Sequence, residues 1–216
     1  MKHNRWGKRL ALTLVAMTVS FGAGLAPATA STGSSELPQS AWLAPTELPA
    51  VPAGDDWSGP SRAHLYYFDL CSPNLAQGAE AVRMSYTLDG EPIGEAQVTV
   101  LRFATDADAA RAHDKWVNDR RVCADVFGPS EDWGATYAQD VDVVSTVDGV
   151  DVYGVHLGVN GYLQPPNSVY SETFGVRSGR TLYFVSVGDH AVRQTHATLD
   201  MAETVAAAKR RLATIG

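Results

Sequence analysis

The chain lacks every short motif that names a chemistry by itself. No G-x-S-x-G, H-E-x-x-H, G-x-x-x-x-G-K or C-x-x-C occurs in its 216 residues. The signatures of serine hydrolases, zinc proteases, phosphate-cradling loops and thiol redox sites are therefore missing, and a domain without enzymatic activity is expected. Basic charge is short, with 17 Lys and Arg against 24 Asp and Glu. An acidic surface repels phosphate backbones and anionic lipid heads, which argues against nucleic acid and membrane surfaces as partners. Beyond the N-terminal stretch the histidines are His64, His113, His156, His190 and His196, and none pairs at the i, i+4 spacing that sets two imidazoles on one metal. No metal site and no cofactor are expected.

The first 30 residues contain no acid. Lys2, Arg5, Lys8 and Arg9 precede an apolar run from Leu10 to about Leu25, and Ala28-Thr29-Ala30 comes before Ser31. That order predicts a secretory signal over residues 1–30, cleaved after Ala30, and a secreted, extracellular product. A permanent membrane anchor is the rival reading. The run is broken by Thr13, Thr18, Ser20, Gly22 and Gly24 and falls short of the roughly 20 residues that a bilayer core asks for. Removing the signal takes four of the 17 bases and leaves 13 against 24 acids, a net charge of -11. What remains has the length of one well-buried domain.

Only two cysteines occur, Cys71 and Cys123. In an oxidising compartment an even pair reads as a structural bridge, and closing so long a loop restricts the unfolded chain by roughly 4 kcal/mol. A thiol nucleophile is the alternative, but nothing local to either Cys resembles a protease signature.

Residues 31–56 are rich in Ser, Pro, Ala and Gly, with Pro38, Pro45, Pro49 and Pro52 blocking regular structure. A flexible arm is expected there, whose Trp42 and Leu43 dock on the domain or bind a partner. From Val82 to Leu88 apolar and polar residues alternate, the period of a half-buried strand. Asp89-Gly90 turns into a second strand over about 95–103. Thr105 caps a predicted helix running to about Ala124, with Ala109, Ala112, Trp116 and Cys123 near one face. Four further strands are read at 140–147, 150–159, 169–177 and 181–188, turning at Asp148-Gly149 and Ser178-Gly179-Arg180. A last helix carries the stripe Met201, Val205, Ala208, Leu212, Ile215, with Asp200 and Glu203 at capping-box spacing. The expected fold class is α+β: an antiparallel sheet of about six strands with two main helices packed on one side of it.

Candidate binding residues are His156, Tyr162 and Tyr170. His156 alternates in register with Val152, Gly154 and Gly158, and small residues inside a strand mark a place where a ligand or another backbone comes close. Packing of a helix or the arm against those glycines is the alternative. Tyr combines a ring to pack with a hydroxyl to bind, and so suits concave sites. Asp189-His190, after the last strand, reads as an ordinary turn more readily than as an acid and base pair.

Several residues together resemble the PknH-like extracellular domain, the sensor domain of actinobacterial membrane receptor kinases. They are Trp57, Leu70-Cys71, the strand Val98-Thr-Val-Leu-Arg-Phe103, the helix start Asp106-Ala-Asp-Ala-Ala-Arg111, Trp116 with Cys123, and the late hairpins before an Ala-rich helix. The resemblance spans about Asp56 to Gly216. It implies an α+β domain whose sheet is flanked by two helices, with a central cleft for a ligand. Members commonly carry more cysteines, and neither a kinase nor a membrane span is expected here. Three functions follow as expectations: a sensor-like module binding a small molecule or cell-envelope component, an envelope protein-protein interaction module, and an unrecognised hydrolase.

Overall fold

The computed structural model describes residues 37–50, 56–65, 68, 71–88, 94–123, 129–130, 135–136, 138–158, 168–190 and 199–216. The export signal with its cleavage after Ala30, and the Asp89-Gly90 turn, lie outside them. Two single turns of 3-10 helix, Gln39–Ala41 and Pro45–Glu47, come first. They are followed by β1 (Trp57–Ala63), β2 (Glu80–Leu88), β3 (Gly94–Arg102), α1 (Asp106–Val122), β4 (Pro129–Ser130), β5 (Ala135–Thr136), β6 (Ala138–Val147), β7 (Val150–Gly158), β8 (Ser168–Ser178), β9 (Thr181–His190) and α2 (Ala202–Ile215).

Seven of these strands form one antiparallel sheet in the order β1-β2-β3-β9-β8-β7-β6, and β4 pairs with β5 apart from it. The chain builds three neighbours, leaves the sheet centre through α1, and re-enters at the far edge with β6. It then meanders back until β9 closes on β3. The α+β class stands, with one strand more than expected. The added strand is β1, at the edge, where Gly59-Pro60 and a register break between Ser58 and Ser61 erase any alternation. Proline is tolerated at such an edge because its missing N–H costs no ladder bond.

The helices do not share a side of the sheet, contrary to the expectation. Val98, Val100, Tyr183, Val185 and Phe174 face one way, into a core that contains Met201, Val205, Ala208 and Leu212 of α2. Leu101, Leu182, Phe184 and Tyr153 face the other way, into a core built around Ala109 and Trp116 of α1. The reason lies in the central strands: β3 and β9 are apolar at both parities, so each face needs its own cover.

Each helix begins as local chemistry requires, with one correction. The Thr105 hydroxyl accepts the Asp108 N–H at 3.1 Å and caps α1. At α2 the expected capping box is not formed. The Asp200 carboxylate accepts from Ala202 N–H, while Glu203 pairs with Arg210 at 2.6 Å, an attraction that draws it away from the helix start. Cys71 and Cys123 are bridged, with Cα atoms 5.3 Å apart, tying the end of α1 to the segment before β2.

The proline-rich stretch read as a flexible arm is, over residues 37–50, part of the core. Trp42, Leu43 and Leu48 are buried in the α2-side cluster, and Ala41 is fully buried beside them in sequence. Backbone groups that the prolines keep out of a ladder still need partners, and side chains supply them. The Tyr86 hydroxyl donates to the Leu43 carbonyl at 2.8 Å, Tyr183 to Ala41 at 3.2 Å, and Trp57 Nε1 to Pro49 at 2.8 Å. Arg211 of α2 holds Glu47 by donating from Nη2 to both carboxylate oxygens, at 2.9 and 2.8 Å. Burial works against the Glu47 carboxylate, but Arg211, the Ala44 N–H and Arg210 outweigh it and hold its pKa below the usual range.

Candidate functional site

The site follows from where one ladder stops. β7 and β8 pair from Gly158↔Ser168 only as far as Tyr153↔Thr173. On their other sides the ladders continue: β6 with β7 to Val147↔Val150, and β8 with β9 to Ser178↔Thr181. The sheet is thus forked, with residues 150–152 and 174–178 parting around an opening. A cavity of about 660 Å³ occupies it, lined by His113 and Trp116 of α1, Tyr153 of β7, Arg177 of β8, and Lys209 and Leu212 of α2. Although α1 and α2 cover opposite faces of the sheet, residues of both line this opening at the unpaired ends of β7 and β8. Its size is that of a small-molecule site.

One wall of this opening is aromatic. Trp116 meets Tyr153 edge-on at 5.4 Å between ring centroids and Phe184 at 5.1 Å, while Arg120 stacks 5.1 Å over its ring. Phe68 extends the group, 4.7 Å from Phe184. Gly175 allows the approach, since a Cβ there would lie 2.6 Å from the Phe184 ring and 3.4 Å from Trp116. Burial, then the Asp151 charge, push the Tyr153 hydroxyl upward, so it stays neutral at physiological pH.

The rim is polar. Lys209 reaches across to Asp148, donating to its carbonyl at 2.8 Å and its carboxylate at 2.5 Å, which fastens the β6–β7 turn to α2 and lowers the Asp148 pKa. That turn needs a positive φ at both central positions, 49° at Asp148 and 76° at Gly149, the hairpin geometry for which Asp-Gly is suited. Asp151 accepts from Thr146 Oγ1 at 2.9 Å. His113 places Nε2 3.5 Å from the Gly175 carbonyl. Asp114, also on the rim, has no partner among the described residues.

Of the residues singled out from the sequence, the two that are described lie on the paired part of β7 and β8. Tyr162 is outside the described residues. His156 and Tyr170 are brought together as cross-strand partners of β7 and β8, on the paired side of the fork. Tyr170 is buried and donates to Glu172 Oε1 at 2.8 Å. Its ring, with Val144, lies where a Gly154 side chain would be, so that glycine makes room for Tyr170 itself. The fork was missed because an unpaired stretch leaves no mark in periodicity; Gly175, a glycine inside a strand, was the one available signal.

Glu172 is the second unusual group. It is fully buried, and Oε1 also accepts the Leu199 N–H at 2.8 Å, while Oε2 has no partner among the described residues. Burial, outweighing the Leu199 and Tyr170 hydrogen bonds, raises its pKa. A carboxyl whose folded pKa is raised stabilises least where it must ionise, so its contribution falls as pH climbs from the ordinary carboxyl range through the raised value. Glu47 has the opposite sign: its contribution is present above the ordinary value and is lost on acidification. Glu172→Gln should therefore flatten the decline of Tm with rising pH in thermal melts from pH 4 to 8. An unchanged slope would show that Glu172 is not the responsible group.

Among the described residues no group of three or more His, Cys, Asp or Glu could hold a metal ion. Among them, too, no helix is long and apolar enough to cross a membrane. No family model matches the chain, and no curated protein matches it. Among solved structures it is similar to the extracellular domain of PknH from Mycobacterium tuberculosis, with 9% identity and a TM-score of 0.44 over 74% of this chain and 84% of that one.

Proposed function

We propose that this domain is a binding module that captures a small molecule or cell-envelope component in the opening between β7 and β8, with no chemical step performed on the ligand. The observation that carries the reading is the fork, a cavity between two strand edges with an aromatic wall on Trp116 and Tyr153 and a charged rim. Such a combination buries an apolar body and fixes its orientation by a few polar contacts. His113, which lines this cavity, has its Nε2 3.5 Å from the Gly175 carbonyl, whereas nucleophilic chemistry calls for a base within reach of a hydroxyl or thiol. Export belongs to the same proposal: the Cys71–Cys123 bridge fits an oxidising compartment, as does the signal grammar of residues 1–30.

A thermal-shift screen of the exported chain against cell-wall fragments and small metabolites tests this. A ligand present at about 100 times its Kd stabilises the folded state by roughly 2.7 kcal/mol. The rise in Tm should vanish in Asp114→Lys and Arg177→Glu, two exposed rim changes. A rise that survives both and disappears in Tyr170→Phe would place the site beside Glu172 and end the fork reading.

A further inference from the structure

The fork leaves backbone as well as side chains facing the opening. Antiparallel ladders alternate, so a residue that exchanges N–H and C=O with one neighbour turns the next residue's groups to the other side. Ser178 and Thr181 flank a two-residue turn and are a bonded pair, which commits the even-numbered residues of β8 to β9. Gly175 and Arg177 then direct their amides and carbonyls toward β7. By the same rule Val147 and Val150 flank the Asp148-Gly149 turn, and the Asp151 backbone turns away from β6. Beyond Tyr153↔Thr173 these groups meet no partner strand. The His113 ring, 3.5 Å from the Gly175 carbonyl, is a long contact from a side chain and a weak substitute for a ladder bond.

From these edges, and resting on the fork as the binding site, we infer that the ligand class is an extended peptide. It adds as a short strand along β8 and takes its main-chain hydrogen bonds from Gly175 and Arg177. The length of β8 without a β7 partner, residues 174–178, is about 16 Å at about 3.3 Å per residue, enough for two ladder pairs. Successive side chains of an added strand point to opposite faces. Here one side chain is directed to the α1 side, toward Trp116 and Tyr153, and the next to the α2 side, toward Leu212. A basic residue flanking the apolar pair matches Asp114, the rim carboxylate without a partner among the described residues. Strand addition draws affinity from the backbone and selectivity from alternate side chains, which suits a cavity walled by two strand edges.

The experiment is selection of the exported chain against a phage-displayed library of random heptapeptides, followed by synthesis of the selected peptides with and without N-methyl groups at alternate amides. N-methylation removes donors without touching the protein. Unmethylated peptides enriched in a basic residue beside apolar ones should bind, and one of the two methylation registers should weaken binding at least tenfold. In Arg177→Pro the lost N–H is one that β9 does not use, so Tm should stay close to wild type while peptide affinity falls at least tenfold. Equal binding by methylated and unmethylated peptides, or retained affinity in Arg177→Pro, overturns strand addition. Failure of the library to yield any binder, while a small molecule from the thermal screen still loses its effect in Asp114→Lys and Arg177→Glu, overturns the peptide class and leaves the fork as the site.

Discussion

Trp42→Ala is expected to cost about 3 to 5 kcal/mol, the range for truncating a buried large aromatic. For a chain of this size that lowers Tm by roughly 10 °C. The effect is large because Trp42 is 4% exposed and belongs to the same cluster as Tyr86, Tyr183 and Met201. A chain beginning at residue 51 should fare worse. It loses Trp42, Leu43 and Leu48 together, at about 1.5 to 3 kcal/mol of burial each, and leaves the Tyr86 and Tyr183 hydroxyls without the carbonyls they now reach. Against a total stability of about 5 to 15 kcal/mol, the truncated chain should show no cooperative melt. A truncation that melts like the intact chain would show that the segment merely rests on the surface.

The second large effect is expected at Trp116. Trp116→Ala removes the ring that Tyr153, Phe184 and Arg120 all contact and should cost a further 3 to 5 kcal/mol in denaturant titrations. It also enlarges the opening, so ligand binding should fall along with stability. Trp116→Phe separates the two. The indole N–H is buried with no partner among the described residues, so phenylalanine keeps most of the ring contacts and relieves an unsatisfied donor. Its cost should stay well below that of the alanine variant, since it leaves the smaller cavity. A phenylalanine variant as damaged as the alanine one would mean that the N–H makes an essential bond.

Much of this architecture is written in local pattern. Val82, Met84, Tyr86 and Leu88 alternate, and all four lie in or against the α2-side core. The stripe from Met201 to Ile215 is the face that α2 buries, and Thr105 caps α1 as its position before Asp106 and Asp108 implies. Other features are settled by tertiary context. A helical stripe says that a helix needs an apolar neighbour but not which face of a sheet provides it. That information sat in β3 and β9, where Val98 and Val100 serve one face and Leu101 the other, as do Tyr183 and Val185 against Leu182 and Phe184. Prolines describe what residues 37–50 cannot do, which is pair in a ladder. Whether Trp42 finds a core depends on Tyr86 and Tyr183, some 40 and 140 residues away in sequence. The site was least legible. The glycines noted in the sequence lie on β7, where Gly154 leaves room for Tyr170, while Gly175, which lines the opening, lies one strand over.

Amide hydrogen exchange resolved residue by residue along β8 tests the fork most directly. With the sheet open beyond Tyr153↔Thr173, the Phe174 and Val176 amides should exchange slowly, held by β9, and the Gly175 and Arg177 amides orders of magnitude faster. Slow exchange at all four would mean that β7 and β8 are zipped to their ends, leaving no opening for any ligand.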